Sequence, residues 1–196
     1  MRGAPAWNYL PSQKAAKYRI EDRIDLKTAR KIVTEYGSPL GKKFNQELIE
    51  AFFAYEAEFP IDGIKAFDDY SEAFPLSRSV RIPVKPLTVV RENGEFTPLF
   101  LCPWSKLSFS HYQASLLMTI LEKAVFTHSD FENSNGRIMF FPKKPNEAGK
   151  LFRKPVIWTR GQFPLLSDKE LSEQISIFFE SKSLALSLYQ NYLSQK

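Results

Sequence analysis

Residues 109–126 restrict the fold more than any other stretch of this chain. Tyr112, Leu116, Leu117, Ile120, Leu121, Ala124 and Val125 recur at the i, i+3, i+4 spacing that gathers side chains on one face of a helix. Ser110 and Gln113 stand in the S-x-x-Q order of a capping box, in which hydroxyl and amide satisfy backbone N–H groups at a helix start. A helix this apolar must be covered, and the flanking stretches carry a different period.

Upstream, Val80, Ile82 and Val84 alternate with Ser79, Arg81 and Pro83, and an apolar run at 96–102 follows the Asn93-Gly94 dipeptide that favours a two-residue hairpin turn. Prolines at 83, 86 and 98 remove ladder donors, which predicts a sheet edge or a bulge. Downstream, residues 137–141 and 154–160 read as strands around a turn-forming loop at 142–149. Ser167 and Glu170 repeat the capping box ahead of Leu171, Ile175, Phe178 and Phe179, and the apolar face then shifts to Leu184, Ala185, Leu188, Tyr189 and Tyr192. That shift predicts a kink, or a second helix from Ser183, within a tail that closes the core against the central helix or binds another chain.

Nearer the start, Asp25 caps a helix with Leu26, Ala29, Val33 and Tyr36 in a stripe, and Gly37 reads as its left-handed stop. Asn45 reads as the next cap, ahead of Leu48, Ile49, Phe52 and Phe53 on one face and Glu47, Glu50, Glu56 and Glu58 on the other. Residues 1–24 show no sustained period and read as an arm that docks through Trp7, Tyr9, Leu10 and Tyr18. The resulting expectation is α+β: a mainly antiparallel sheet of four or more short strands, packed against a central helix at about 110–126 and a C-terminal helix, with an N-terminal helical pair. In domain terms this is a basic, aromatic arm at 1–24 and a single domain at 25–196.

The residue inventory removes several kinds of chemistry. Cys102 is alone and only His111 and His128 accompany it, so neither a disulfide nor a cysteine zinc site is expected, and no metal or cofactor is predicted. Asp62, Asp68, Asp69 and Glu72 lack the ligand spacing and turn glycine of a calcium loop. The chain has no G-x-x-x-x-G-K-[ST], G-x-G-x-x-G, G-x-S-x-G or H-E-x-x-H, and Ser110 with His111 cannot face one another from neighbouring helix positions. A nuclease built on Asp130, Glu132, Lys143 and Lys144 lacks the acid-x-lysine spacing such sites use. The balance leans away from an enzyme. No apolar run approaches the roughly 20 residues of a membrane span, and a cytoplasmic location is expected.

Charge is distributed in blocks. Residues 1–43 carry +6, residues 44–77 carry −7, and residues 136–166 hold 7 Lys and Arg against 1 Glu. Two readings follow: the acidic block packs against the basic ones, or the basic blocks face a polyanion. The second reading picks out Arg137, Lys143, Lys144, Lys150, Arg153, Lys154, Trp158 and Arg160, where cations and aromatics on two strands would meet phosphates and unpaired bases. It predicts an accessory protein without catalysis that binds DNA or RNA, as a subunit of a larger assembly. The alternative is a protein-interaction module, self-associating or part of a complex, suggested by the aromatic arm, the proline-marked edge and the apolar residues at 184–192.

Overall fold

Small side chains account for the first helix, α1 (Leu10–Asp22): its buried side is Ser12, Ala15, Ala16 and Ile20, so neighbouring helices approach closely. Templates built on large apolar residues pass over such a face, and this part of the segment read as an arm is helical instead. A computed structural model describes residues 8–61, 64–67, 70–92 and 94–194. Trp7, the acidic residues Asp62, Asp68 and Asp69, and Asn93 of the hairpin turn lie outside them.

Helix α1 packs against α2 (Leu26–Tyr36) and α3 (Lys42–Glu58), so a third helix joins the predicted pair. Asp25 caps α2 by accepting the Thr28 N–H at 2.7 Å. Gly37 is extended rather than left-handed, with φ −95°. It is small for another reason, since a Cβ there would lie 2.7 Å from the Val33 carbonyl oxygen. Asn45 is not a cap but an interior residue of α3, where its buried amide ties two helices. Its Oδ1 accepts Ser12 N–H at 3.2 Å and Ser12 O–H at 2.8 Å, while its Nδ2 donates to the carbonyls of Asn8 and Gly41.

The strands then follow as β1 (Ile64–Lys65), β2 (Glu72–Pro75), β3 (Arg81–Val84), β4 (Thr88–Glu92) and β5 (Glu95–Cys102). The hairpin at 93–94 joins β4 to β5, with Glu92 opposite Glu95, whereas β3 pairs with β2 in a separate ribbon. Both prolines sit where a missing N–H is tolerated: Pro83 in the two-stranded ribbon, and Pro98 in the part of β5 that runs past the start of its next neighbour. After β5 comes α4 (His111–Leu121), opened by the predicted capping box and continued by a π-helical turn at Glu122–Phe126, where Thr127 N–H reaches the Glu122 carbonyl at 3.1 Å. The buried side of α4 is Ala114, Ser115, Met118, Thr119 and Leu121, so the predicted stripe holds at Leu121, Ala124 and Val125, whereas Leu116, Leu117 and Ile120 are half-buried and Tyr112 is exposed.

This helix crosses over the sheet so that β6 (Arg137–Phe140) lies parallel to β5, the one parallel pair of the main sheet. Gly136, which leads into it at φ +41°, leaves no room for a Cβ, which would sit 2.2 Å from the Phe126 ring. The loop at 142–149 is largely ordered into a hairpin of β7 (Lys143–Pro145) and β8 (Leu151–Arg153), and β9 (Val156–Thr159) closes the main sheet in the order β1-β4-β5-β6-β9. Alternation sends Val90, Leu99, Leu101, Met139 and Phe141 toward the three N-terminal helices. Val89, Phe100, Ile138, Phe140 and Trp158 face α4. The sheet is therefore covered on both faces.

The chain ends in α5 (Asp168–Ser194), which starts with the Ser167–Glu170 capping box. It is held to the domain by Lys123 with Asp168 at 2.6 Å and by the Leu166 N–H donated to Thr119 Oγ1 at 2.8 Å. It is one continuous helix, without the predicted break at Ser183. Leu171 is its only buried residue, with Ile175 partly covered, so only its first two turns add to the core.

Candidate functional site

Register decides what the basic segment can do. Trp158 stands opposite Ile138 and Phe140 opposite Val156, so Trp158 shares a face with Ile138 and Phe140, not with Met139 and Phe141. The two strand faces thought to form one basic, aromatic surface point to opposite sides of the sheet, each under helices. Trp158 is buried, its ring 4.6 Å from Phe140 and 4.7 Å from Phe163, and a base has no access to it without unfolding.

Most of the cations in the segment are engaged inside the fold. Arg137 Nη2 donates to both carboxylate oxygens of Glu92 at 2.5 and 2.6 Å. Lys143 lies 2.5 Å from Glu47 and over the Phe44 ring. Arg153 is buried and donates to the carbonyls of Phe141 at 2.7 Å and Pro103 at 3.1 Å, and to the Tyr9 hydroxyl at 2.8 Å. Arg160 holds Glu122 through two nitrogens, donates to the carbonyls of Phe131, Glu132 and Ser134, and stacks on Phe126. It clamps the π-helical turn to the loop that follows. Lys144, Lys150 and Lys154 are exposed on and beside the β7–β8 hairpin, near the outward-facing Leu151 and Phe152.

The acidic block at 44–77 supplies partners chiefly to the N-terminal basic block, and to this segment through Lys143. Glu56, almost fully buried, receives Arg19 at 2.7 Å and Arg23 at 3.5 Å; Glu50 receives Arg30 at 2.8 Å, and Glu47 receives Lys143. Buried carboxylates and guanidiniums of this kind hold one another in place, since either left alone carries a large desolvation cost.

A second surface has the opposite character. Beyond Ile175, α5 exposes Ile177, Phe178, Leu184, Leu186, Leu188, Tyr189, Tyr192 and Leu193. Leu184 retains 61% of its accessible surface and Leu188 60%, values suited to polar residues. At 100° per residue, Leu171, Ile175, Phe178, Lys182, Ala185, Tyr189 and Tyr192 follow alternating steps of four and three along one line. The line that seats Leu171 and Ile175 on the domain thus continues outward through Phe178, Lys182, Ala185 and Tyr189, which are exposed among the described residues. Ile177, Leu184 and Leu188 flank it on one side, Phe179, Leu186 and Leu193 on the other. The sequence reading found 184–192 and missed Ile177, Leu186 and Leu193; the seven-residue interval from Phe179 through Leu186 to Leu193 is the signal that marks them. Among the described residues no helix is long and apolar enough to cross a membrane.

Among the described residues no three His, Cys, Asp or Glu side chains come together as a metal site. Comparison of the chain with protein-family models, with curated proteins and with solved structures finds no match, so the reading of function rests on these two surfaces.

Proposed function

We propose that the protein is an assembly module that associates through α5, pairing this helix with α5 of a second copy. The observation that carries the reading is the exposed continuation of the Leu171–Ile175 line through Phe178, Ala185 and Tyr189, flanked by exposed Leu184 and Leu188. Isolated helices need a supporting surface, and outward-facing apolar stripes of this length mark contact sites. A second copy fits because residues 177–194 carry one acid, Glu180, and one base, Lys182, so two such helices meet without like-charge repulsion. Lys182 on the contact line sets the register at a cost in stability, as a single polar residue does in paired helices.

Six half-exposed side chains per copy, each adding about 1 kcal/mol on full burial, supply roughly 12 kcal/mol, against an association cost of about 4–10 kcal/mol. The difference, roughly 2–8 kcal/mol, corresponds to dissociation between about micromolar and tens of millimolar. Sedimentation of the full chain across this range therefore gives a dimer that dissociates on dilution, and Leu184→Glu with Leu188→Glu gives a folded monomer. A wild-type chain that stays monomeric at the highest concentrations refutes the proposal.

A second reading keeps the nucleic-acid interface in reduced form, favoured by exposed Lys144, Lys150 and Lys154 beside Phe152. Three phosphate contacts give a slope of about −2 to −3 in log affinity against log salt. Lys→Glu at the three positions removes oligonucleotide binding if this reading holds, and unchanged binding removes the reading.

A further inference from the structure

A cleft of about 770 Å³ opens where α1, α4 and the carboxyl ends of the parallel strands β5 and β6 meet. Its volume falls within the range of small-molecule sites. The inner wall is apolar: Leu87, Phe100, Leu117, Leu121, Ile138 and Phe140. The half-exposed Trp104 stands at the edge.

Polar chemistry is confined to one part of this lining. Gln13 already donates its amide to the Leu101 carbonyl at 3.2 Å. The charged lining residues are Lys14, Lys17 and Lys85, and the described lining includes no carboxylate. Lys14 stands over the rings of Tyr18 and Tyr36, and Lys17 lies 3.7 Å from Glu21 outside the cleft, so both are held near the opening rather than swinging freely. Glu21 offsets part of the charge at Lys17, so these ammonium groups give their end of the lining a partly compensated positive charge beside low-dielectric walls. The complementary ligand has one anionic end and an otherwise apolar body.

We propose that this cleft binds a long-chain fatty acid, its alkyl chain against Leu117, Leu121, Ile138 and Phe140 and its carboxylate at Lys14, Lys17 and Lys85. A single-chain acid matches the lining because a carboxylate uses the lysines and an alkyl chain asks nothing of the walls. A polar ligand would leave its remaining donors and acceptors unmatched there. This inference is independent of pairing through α5, and the variants that test one leave the other untouched.

The test uses the full-length chain and palmitate, with hexadecanol and acetate as controls and titration calorimetry as readout. Saturable binding of one palmitate per chain is expected, with hexadecanol and acetate each at least about tenfold weaker. Lys14→Glu combined with Lys85→Glu lowers palmitate affinity by about tenfold or more and leaves hexadecanol unchanged. Leu117→Trp, which fills the cleft, removes binding in a chain whose melting transition is retained. Cys102 gives a second readout on the unsubstituted protein, because it lines the same cleft: palmitate slows its alkylation. Absence of saturable binding, hexadecanol binding as tight as palmitate, unchanged binding in folded Leu117→Trp, or an alkylation rate indifferent to palmitate each overturns the proposal.

Discussion

Replacing Arg153 with methionine separates a structural arginine from a ligand-binding one. Its guanidinium donates to the Phe141 carbonyl at 2.7 Å, the Pro103 carbonyl at 3.1 Å and the Tyr9 hydroxyl at 2.8 Å, and it lies over the Tyr9 ring. Methionine keeps most of the apolar stem and removes all three bonds. The two carbonyls lose a charged donor at about 1.5–3 kcal/mol each, and the ring contact contributes about 1 kcal/mol more. Removing a buried charge returns part of this by relieving its desolvation, so the net loss is about 3 kcal/mol. That is a large share of the roughly 5–15 kcal/mol that holds an ordinary domain. Urea unfolding followed by circular dichroism measures it as a fall in midpoint with unchanged slope. Tyr9→Phe, which removes one bond, loses about 1 kcal/mol, and the double variant loses less than the sum because the two groups share a contact. A loss under about 0.5 kcal/mol for Arg153→Met would refute the reasoning, and an accompanying drop in oligonucleotide affinity would return this residue to the interface read from the sequence.

Glu56→Gln leaves Arg19 and Arg23 facing a neutral amide and costs about 3 kcal/mol by the same unfolding assay; a neutral result would mean the buried pair is idle. Leu121→Ala, at a buried site, costs about 2 kcal/mol while Leu117→Ala, at a half-buried one, costs under about 1 kcal/mol, and equal losses would contradict this difference in burial. Burial, helped by the charges of Glu72 and Asp130, pushes the Tyr70 hydroxyl from 10.0 up to about 12. The folded state thus keeps this proton more tightly than the unfolded state, so its contribution is complete below pH 10 and disappears as pH rises through about 12. Tyr70→Phe flattens that part of the stability profile, and identical profiles for the two chains would remove Tyr70 from the account.

The elements with strong periodic or capping signals were legible in the sequence. Ser110 with Gln113, Ser167 with Glu170, Asp25, and the turn between β4 and β5 all appear where local chemistry puts them. What stayed hidden depends on partners distant in sequence. Asn45 has the composition of a cap, and only the approach of Ser12 from 33 positions away makes it an interior tie. Arg137, Arg153 and Arg160 look like a basic patch until Glu92, Tyr9 and Glu122 come into reach. Trp158 shares a face with Ile138 and Phe140 rather than with Met139 and Phe141, which only the register decides, because a one-residue shift exchanges the faces of a strand. The acidic block meets chiefly the N-terminal basic one, through Glu50 and Glu56, and meets the later basic segment through Lys143. The apolar tail was visible as residues 184–192, but its separation from the core was not, since periodicity reports a face and says nothing of what covers it.

The pairing of β5 with β6 has a kinetic consequence. The three helices over residues 10–58 are joined by contacts among themselves and can form early, yet their sheet-facing residues Leu48, Ile49 and Phe52 are covered in part by Met139 and Phe141. Residue 141 leaves the ribosome about 80 residues after residue 58, a delay of about 4–17 s at ordinary elongation rates of roughly 5–20 residues per second. During that interval β1, β4 and β5 can reach this apolar helical surface, while the part that Met139 and Phe141 cover stays open. Closure comes late, when Arg153 reaches Tyr9 across 144 positions. A chain wired in this way folds slowly for its size and depends, while it is being made, on whatever shields that surface from its neighbours.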